Sequence, residues 1–414
     1  MKQQILDWIE EDRGLIVGFL RDFVRAKSPN PPGDTRAAME HIRDFLDARE
    51  VAYDLVVRDE TMPNLMASRS FQEGGKHLVL NGHIDVFPAE EDGSWIHPPW
   101  EGRIVDDVIH GRGIADMKVG TTASIMTFLY LSRLSKMLHG RLTLTVVSDE
   151  ETFGPNGSRH LFENCPERVT GTACLNGEPS SAQTVRFGEK GTVWLRFEMT
   201  TAGGHGAYPH LGENAIDRAF ALIQELREFT HRDVEESEAI AALLGKSGEM
   251  YDIAYGEGAA EVARSITMNV GTMQAGPKVN MVASRCTFEV DFRLPVGMAC
   301  ASLLEWIDSL SAMHAFSYVT LLVNESNWIS PDNELTAAVK RNARSVTGIE
   351  PADVIGLGNT DARLWRYRRV PAVVYGPTPR GMGGNDEQVP IEEALNVVRV
   401  HALSAFDYLS NKGA

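Results

Sequence analysis

Short apolar runs alternate with helical segments in the first half of the chain, and this alternation restricts the fold more than any other feature. The runs at residues 77–82 and 142–147 are mostly apolar, which is typical of strands buried in a parallel sheet. Apolar residues at helical spacing predict helices around these runs, for example over residues 5–24 and 119–134. The alternation resumes after residue 330. We therefore predict an α/β fold with a mainly parallel sheet flanked by helices.

The pattern changes near residue 190, where the strands become half-polar. Residues 192–200 alternate apolar and polar side chains, which is typical of a half-exposed antiparallel strand. The chain has 414 residues, and one hydrophobic core usually stops growing at roughly 250–300 residues. We therefore predict an α/β domain formed by residues 1–190 and 326–414, interrupted by a smaller α+β domain over residues 191–325.

The charge and the cysteines limit the partners and the compartment. The net charge is −17 and the pI is about 5.2, so the surface repels phosphate backbones and anionic lipid, and we expect neither nucleic acid nor membrane partners. No stretch approaches the ~20 apolar residues of a membrane span, and the first residues carry acids where a signal peptide needs an apolar run. The cysteines are widely spaced, which favours reduced core residues: Cys165, Cys174, Cys286 and Cys300. We expect a cytoplasmic protein.

Histidine and carboxylate side chains follow several of the apolar runs: His83 and Asp85, Glu150 and Glu151, and Glu178. A further carboxylate, Asp116, stands just before a predicted helix. Taken singly, these residues also fit structural roles, since Asp116 is placed to cap the next helix and the acids after residue 148 fit a solvated turn. Taken together, they fall at or near strand ends of one sheet, where open α/β sheets bind ligands. A mixture of imidazole and carboxylate ligands suits Zn²⁺, Mn²⁺ or Co²⁺.

Six strings of the sequence carry a family resemblance. They are NGHIDVFP, GRGIADMKVG, SDEETFG, NGEPS, GGHGAYPHLGENAI and GNTDAR, at residues 81–88, 111–120, 148–154, 176–180, 203–216 and 358–363. With these strings in family order over nearly the whole chain, the protein resembles the aminoacylase, carboxypeptidase G, acetylornithine deacetylase and succinyl-diaminopimelate desuccinylase family of metallopeptidases. The resemblance implies a catalytic α/β domain with an inserted lid domain that often dimerises. It also implies a homodimer formed through the lid and a small-molecule substrate.

The resemblance also assigns roles to the acidic clusters. One metal ion would be held by His83, Asp116 and Glu178, with Asp116 reaching toward a second ion that Glu151 would also ligate. Asp85 would orient His83. Glu150 would be the general base that takes a proton from the attacking water.

The resemblance extends to residues that would contact the substrate. His205 matches the lid histidine that polarises the scissile carbonyl, commonly in the site of the partner subunit. Asn280 and Arg293 match positions that hold a substrate carboxylate, and Thr360 lies in a segment that borders the substrate pocket. Structural roles remain open for three of them: a turn residue for His205 and Asn280, and a surface salt bridge for Arg293.

The chain departs from the family pattern near its C-terminus. Family members carry a metal-binding histidine a few residues before an acidic residue, whereas residues 375–389 contain no histidine. A second ion would therefore depend on Asp116, Glu151, water, and whatever Asn385 or Asp386 supplies. We expect one firmly bound divalent ion, Zn²⁺, Mn²⁺ or Co²⁺, and a weak second site.

Three functions follow from these expectations. The first is hydrolysis of a C–N amide bond in a carboxylate-bearing substrate, such as an N-acyl amino acid or a small peptide. The second is hydrolysis of a non-peptide C–N bond, such as deamination of an aromatic amine at a mononuclear site. The third is a catalytically inactive metal-binding homologue, which would have no chemical need for Glu150.

Overall fold

The computed structural model describes residues 1–90, 93–311 and 314–410. In chain order the strands are β1 (Asp54–Val56), β2 (Asn64–Ser70), β3 (Gln72–His83), β4 (Arg103–Val105), β5 (Val108–His110), β6 (His139–Val147), β7 (Ala173–Asn176), β8 (Thr184–Glu189), β9 (Gly191–Thr200), β10 (Gly204–His205), β11 (Thr267–Ala275), β12 (Met281–Val282), β13 (Arg285–Leu294), β14 (Ser317–Asn324), β15 (Asn327–Trp328), β16 (Ala352–Gly356), β17 (Ala372–Val374) and β18 (Gln388–Pro390). The helices are α1 (Lys2–Glu11), α2 (Arg13–Arg25), α3 (Arg36–Asp47), α4 (Val119–Ser132), α5 (Ser158–Asn164), α6 (Pro166–Val169), α7 (Ala215–Glu228), α8 (Glu238–Tyr255), α9 (Ala259–Arg264), α10 (Cys300–Ser311), α11 (Glu334–Thr347), α12 (Ala362–Arg366) and α13 (Ile391–Ser410).

The larger sheet has nine strands and is parallel at its centre. Its order is β1-β2-β6-β3-β7-β17-β8-β15, with β16 also paired to β8. The pairs β6–β3, β3–β7, β7–β17 and β8–β16 are parallel. The short pair β17–β8 and the pairs toward the edges that involve β1, β2 and β15 are antiparallel. The predicted mainly parallel α/β sheet is confirmed.

Helices cover both faces of this sheet because its central strands are apolar on both sides. On β3, Leu78 and Leu80 belong to the core under α4 and α13, while Val79 packs in the opposite core with α5 and α12. α4 is buried over nearly its whole surface because the sheet and α13 both pack against it.

The helix predicted over residues 5–24 is instead two helices. α1 ends at Glu11 and α2 begins at Arg13. The residue between them, Asp12, has a non-helical backbone (φ −85°, ψ 5°), and its carboxylate accepts a hydrogen bond from the Tyr130 hydroxyl at 3.0 Å. The break therefore contacts α4, and Gly14, in the first turn of α2, is a poor helix former at the same place.

The smaller sheet has four antiparallel strands in the order β11-β13-β9-β14. On β9 the odd-numbered residues 193, 195, 197 and 199 are buried, because α7 and α10 pack on that face. The other face is more open and carries Trp194 and Arg196. This sheet matches the alternation at residues 192–200 and the α+β pattern that the sequence predicts there.

Helices α8 and α9 were not predicted. Although they lie between β9 and β11 in the sequence, α8 packs on β16 of the larger sheet. Ser247 Oγ donates to the carbonyl of Asp353 at 2.6 Å, and the Tyr251 hydroxyl donates to the carbonyl of Ile355 at 2.9 Å. Among the described residues, no helix combines the length and the apolar character needed to cross a membrane.

Candidate metal centre

Three neighbouring parallel strands deliver the acidic clusters to one edge of the larger sheet. β3 ends at His83, which lies beside Val147, the last residue of β6, and Asn81 lies beside Asn176, the last residue of β7. The carboxyl ends of these strands therefore coincide, and the residues that follow β6 and β7 lie next to His83. Glu150 and Glu178 come from those two segments.

Three side chains form a group with the spacing of a metal site. His83 Nε2 lies 3.2 Å from Asp116 Oδ1 and 3.2 Å from Glu178 Oε1. One ligand atom from each residue lies within 4.8 Å of the other two, and all three residues are buried. Among the described residues, this is the one group of three or more such side chains that meets this spacing.

Asp85 fixes the orientation of His83 mainly through its backbone. His83 Nδ1 donates to the Asp85 carbonyl oxygen at 2.9 Å, whereas the Asp85 carboxylate is farther away, at 3.5 Å. This hydrogen bond fixes the ring orientation, so that Nε2 faces Asp116 and Glu178. The Asp85 carboxylate instead accepts hydrogen bonds from the amides of Glu150 and Glu151, at 3.2 and 3.0 Å. It therefore holds the turn that carries both glutamates.

Glu150 and Glu151 adjoin this group but have different neighbours. Glu150 Oε2 lies 4.0 Å from His83 Nε2, and its Oε1 lies 3.7 Å from the guanidinium of Arg363. Glu151 lies outside the three-residue group. Neither Glu150 Oε1 nor Glu151 Oε1 has a hydrogen-bond partner within the protein.

Burial and neighbouring negative charge shift the pKa values of the three glutamates and of His83. Burial and the charge of Glu178 raise the pKa of Glu150 well above its usual range, and burial and the charge of Asp116 do the same for Glu151. The same two causes, burial and the charge of Asp116, raise the pKa of Glu178 to about 7. Burial acts to lower the pKa of His83, but Glu178, Asp116 and Asp85 outweigh it, and that pKa lies well above 6.5. In the protein alone, the negative charge of these carboxylates exceeds the positive charge of the side chains around them.

A divalent cation fits this centre. Glu178 Oε1, Glu150 Oε1 and Glu151 Oε1 are buried oxygens without a hydrogen-bond donor, which is costly unless something else neutralises them. An imidazole nitrogen with two carboxylate oxygens is a ligand set used by Zn²⁺, Mn²⁺ and Co²⁺. His83, Asp116 and Glu178 would hold the ion, and a cation there would offset both the burial and the mutual repulsion that raise the carboxyl pKa values.

The C-terminal segment that lacks the histidine reaches the centre through Glu387. This glutamate is 1% exposed, and its carboxylate accepts hydrogen bonds from Arg112 and from three backbone amides of the loop that carries Asp116. Asn385 donates to Ser94 at 2.8 Å, and Asp386 accepts from the amide of Ile96 at 2.7 Å, so both contact a neighbouring loop. We did not predict a role for Glu387, because only the long-range pairing of β18 with β5 brings it to this loop.

The other candidate residues lie apart from the cluster. His205 is exposed on β10, and its Nδ1 accepts a hydrogen bond from the amide of Ala207 at 3.1 Å. Asn280 is exposed and precedes β12, which pairs with β10. Arg293, on β13, forms an ion pair with Asp291 at 2.9 Å.

Thr360 lies on the larger domain, and its hydroxyl already has a partner. It is 2% exposed and donates to Glu189 Oε1 at 2.5 Å. Its neighbour Asn359 accepts from Thr192 at 2.5 Å, and Thr192 also accepts from Arg293 at 2.9 Å. The segment of Thr360 is thereby linked to Arg293 across the two sheets.

Arg363 also faces the cluster but was not singled out from the sequence. It is 1% exposed, its guanidinium lies near both Glu150 and Asp361, and its Nε has no hydrogen-bond partner. The string GNTDAR contains it, so the signal was present in the sequence, but only the fold shows that it faces Glu150.

Comparison with known proteins agrees with this geometry. The family model for peptidase family M20/M25/M40 matches residues 79–406. A succinyl-diaminopimelate desuccinylase of Cereibacter sphaeroides is 25% identical over 406 residues, covering 95% of this chain and 99% of that protein. The desuccinylase of Paracoccus denitrificans is 27% identical over 392 residues, covering 91% and 94%.

Solved structures share the fold. The M20 family metallo-carboxypeptidase Sso-CP2 of Sulfolobus solfataricus superposes with a TM-score of 0.81 at 18% identity, covering 95% of this chain and 99% of that one. Structures of this family have a catalytic domain and a lid domain, as the resemblance implied. The expected metallohydrolase acting on C–N bonds is confirmed. The chain belongs to the M20/M25/M40 family of metallopeptidases.

Proposed function

We propose that this protein is a divalent-metal-dependent hydrolase that cleaves the amide bond of a small carboxylate-bearing substrate, such as an N-acyl amino acid or a small peptide. The observation that carries this proposal is the buried group of His83, Asp116 and Glu178 beside the unpartnered carboxylate of Glu150. The names of the desuccinylase relatives support an N-acyl substrate in which the acyl group or the amine carries carboxylates.

The bound cation would supply Lewis-acid chemistry, acidifying a water molecule and polarising the scissile carbonyl. Glu150 acts as the general base: its free Oε1 takes the proton of the attacking water and later delivers it to the leaving nitrogen. Asp85 positions Glu150 by accepting its backbone amide hydrogen bond. Arg363 keeps a positive charge 3.7 Å from Glu150 and so favours the deprotonated form that a base requires.

Lid residues complete the substrate site in this proposal. Arg293 pairs with a substrate carboxylate in exchange for Asp291, since a guanidinium binds carboxylates in a bidentate manner. His205 and Asn280 are exposed at the two-stranded sheet of β10 and β12 and are free to reach a substrate, and His205 contributes to the site of a partner subunit. Thr360 borders the pocket by holding its segment against Glu189.

The proposed homodimer forms through the lid, which would allow His205 to contribute to the site of the partner subunit. β14 is an edge strand of the four-stranded sheet, so its outer hydrogen-bonding groups have no neighbour within the sheet. It also exposes the apolar side chains Val319, Leu321 and Val323 at 56%, 43% and 39%.

The proposed domains are residues 1–190 with 326–414, and the lid over residues 191–325. The proposed compartment is the cytoplasm, in keeping with four unpaired cysteines.

We propose a single firmly bound ion, Zn²⁺, Mn²⁺ or Co²⁺. Within the described residues, His83, Asp116 and Glu178 form the one group with metal-ligand spacing, and Glu151 is not part of it. A second ion would find Asp116 and Glu151 but no histidine from residues 375–389. One of the solved structures of similar fold is described as a dinuclear metal-binding peptidase of Bacillus subtilis (TM-score 0.60, 16% identity, covering 97% of this chain and 99% of that one), so the ion count separates the two cases.

The single ligand group also favours a second candidate function, hydrolysis of a non-peptide C–N bond such as that of an aromatic amine. A centre with one ion need not catalyse the same reaction as relatives that bind two ions. The third possibility, an inactive metal-binding homologue, is disfavoured by Glu150, which keeps its buried, unpartnered position beside the ligands.

The test combines ion content with turnover. Protein purified without chelators is analysed for metal, then stripped and reloaded with each ion, and assayed on N-acyl amino acids, dipeptides and aryl amines. Glu150→Gln removes the base but preserves shape, and we expect it to lower kcat by about 10²–10⁴-fold without loss of metal. The control is Glu163→Gln, an exposed glutamate of α5. Full turnover by Glu150→Gln refutes the proposed mechanism, and two tightly bound ions refute the single-ion site.

A further inference from the structure

We infer that Glu387 is a positioning residue for the metal centre: its carboxylate holds the loop 111–116 and thereby sets the place of the ligand Asp116. This inference rests on the proposed function, because it assigns Asp116 as a ligand. In this role the C-terminal segment contributes to the metal centre without supplying a metal ligand.

The two oxygens of Glu387 divide four donors between them. Oε1 accepts from the amides of Ala115 and Asp116 at 2.8 and 3.1 Å, and Oε2 accepts from the amide of Gly113 and from Arg112 Nη1 at 3.0 and 2.8 Å. The backbone of Glu387 contributes as well, because its carbonyl accepts a hydrogen bond from the amide of Gly111 at 2.9 Å. One residue therefore satisfies four amides of a single loop.

The loop needs such an acceptor because its own backbone cannot supply one. Gly111 and Gly113 have positive φ angles of 146° and 80°, and Asp116 is extended (φ −116°, ψ 97°) rather than helical. Amides in this conformation point inward together and form a concave site for an anion. Buried amides without an acceptor each cost about 1–3 kcal/mol, so the loop is stable in this shape only while the anion is present.

All four donors point at the Glu387 carboxylate, so each of its oxygens accepts two hydrogen bonds. Arg112, the one side chain among these donors, is 2% exposed and lies against the ring of Trp95, 5.0 Å from its centroid. Both partners of this ion pair are therefore buried and held in place.

Glu387 affects the metal centre through the backbone of a single residue, Asp116. The Asp116 amide is bonded to Glu387, and the Asp116 carboxylate lies 3.2 Å from His83 Nε2. If the amide shifts, the carboxylate moves with it and the spacing of the ligand group is lost. Groups that orient metal ligands in this way typically change metal affinity by roughly 10–100-fold when they are removed.

Glu387→Gln is the direct test, since it keeps the volume but replaces one acceptor with an NH₂ group that faces N–H donors. Mn²⁺ and Zn²⁺ dissociation constants are measured by competition with a chromophoric chelator, together with kcat, KM and the unfolding midpoint of the metal-free protein. The control is Glu392→Gln, which alters an exposed glutamate of α13 that is paired with Arg13 and Arg399. Arg112→Met is the second variant, because it removes one of the four donors and leaves the three amides bonded.

We expect Glu387→Gln to weaken metal binding by roughly 10–100-fold, with a lower kcat that is partly restored at high metal concentration and a nearly unchanged KM. Arg112→Met should weaken binding by a smaller factor, and it provides the measurement if Glu387→Gln does not fold. Wild-type affinity in both variants overturns the inference, and so does a loss of metal-free stability without a change in affinity. Failure of the wild-type protein to bind either ion instead overturns the proposed function.

Discussion

The histidine buried under the larger sheet should make the protein sensitive to mild acid. His401 lies on α13 with 0% exposure, and its Nε2 donates to the Tyr375 carbonyl at 2.6 Å while its Nδ1 has no partner. Burial lowers its pKa from 6.5 to about 4, against the opposite effect of the Tyr375 carbonyl. In the native protein the imidazole therefore stays neutral at a pH where the unfolded chain is already protonated.

The sign and size of the effect follow from that difference. Between the two pKa values the unfolded state binds more protons than the native state, so the free energy of unfolding falls as the pH is lowered. Lowering the pH from about 7.5 to about 5 should cost about 2 kcal/mol, and the full loss, reached below the native pKa, is about 3 kcal/mol. Above the unfolded pKa the histidine contributes no pH dependence.

The assay compares urea unfolding of the wild-type protein and of His401→Gln at both pH values. Glutamine keeps a donor for the Tyr375 carbonyl but does not titrate, so the variant should lose about 2 kcal/mol less than the wild type over this range. His231→Gln, at an exposed histidine, is the matched control and should follow the wild type. Parallel losses in wild type and His401→Gln would refute a neutral native imidazole.

Three further predictions concern buried charge and backbone shape. Arg366→Met should lower the free energy of unfolding by about 3–5 kcal/mol in urea titrations, because it leaves the fully buried Glu189, now 2.9 Å from Arg366, without its counter-charge. Lys190→Met should flatten the pH dependence of unfolding from about pH 7 to pH 10, because burial lowers the pKa of Lys190 to about 7. Over this range the unfolded wild-type chain still holds the proton that the native state has lost, so the wild type gains stability as the pH rises. Gly113→Ala should weaken metal binding in chelator competition, because a Cβ there would lie 2.2 Å from Val86 Cγ1 at a φ of +80°. Unchanged values in these measurements would contradict the respective assignments.

The sequence predicts the position of a site residue correctly where that position depends only on one strand and the few residues that follow it. The assignment of His83, Asp116 and Glu178 as metal ligands came from the family resemblance. The apolar runs at residues 77–82 and 142–147 predict parallel strands, and strand polarity then places the segment of Glu150 beside His83. Glu178, two residues after β7, comes to the same end of the sheet for the same reason. These placements are short-range consequences of sheet geometry.

The features that were missed depend on contacts between distant parts of the chain. The contacts of Glu387 with the Asp116 loop appear only when β18 pairs with β5, and the contact of Tyr130 with Asp12 only when α4 packs against the break between α1 and α2. The hydroxyl of Thr360 is bonded to Glu189, 171 residues away, which no local pattern indicates. The boundaries of the lid stay a prediction, and α8 shows that position in the sequence and position in space differ there.

The docking of α8 on β16 has a mechanical consequence. The chain passes between the two sheets at residues 190–191 and again near residue 325, and two such crossings alone would act as a hinge. α8 adds a third attachment, since Ser247 and Tyr251 are bonded to the backbone of β16. Rotation of the four-stranded sheet about that hinge must therefore bend the connections around α8 or detach the helix, so this attachment limits how far the two sheets can rotate against each other.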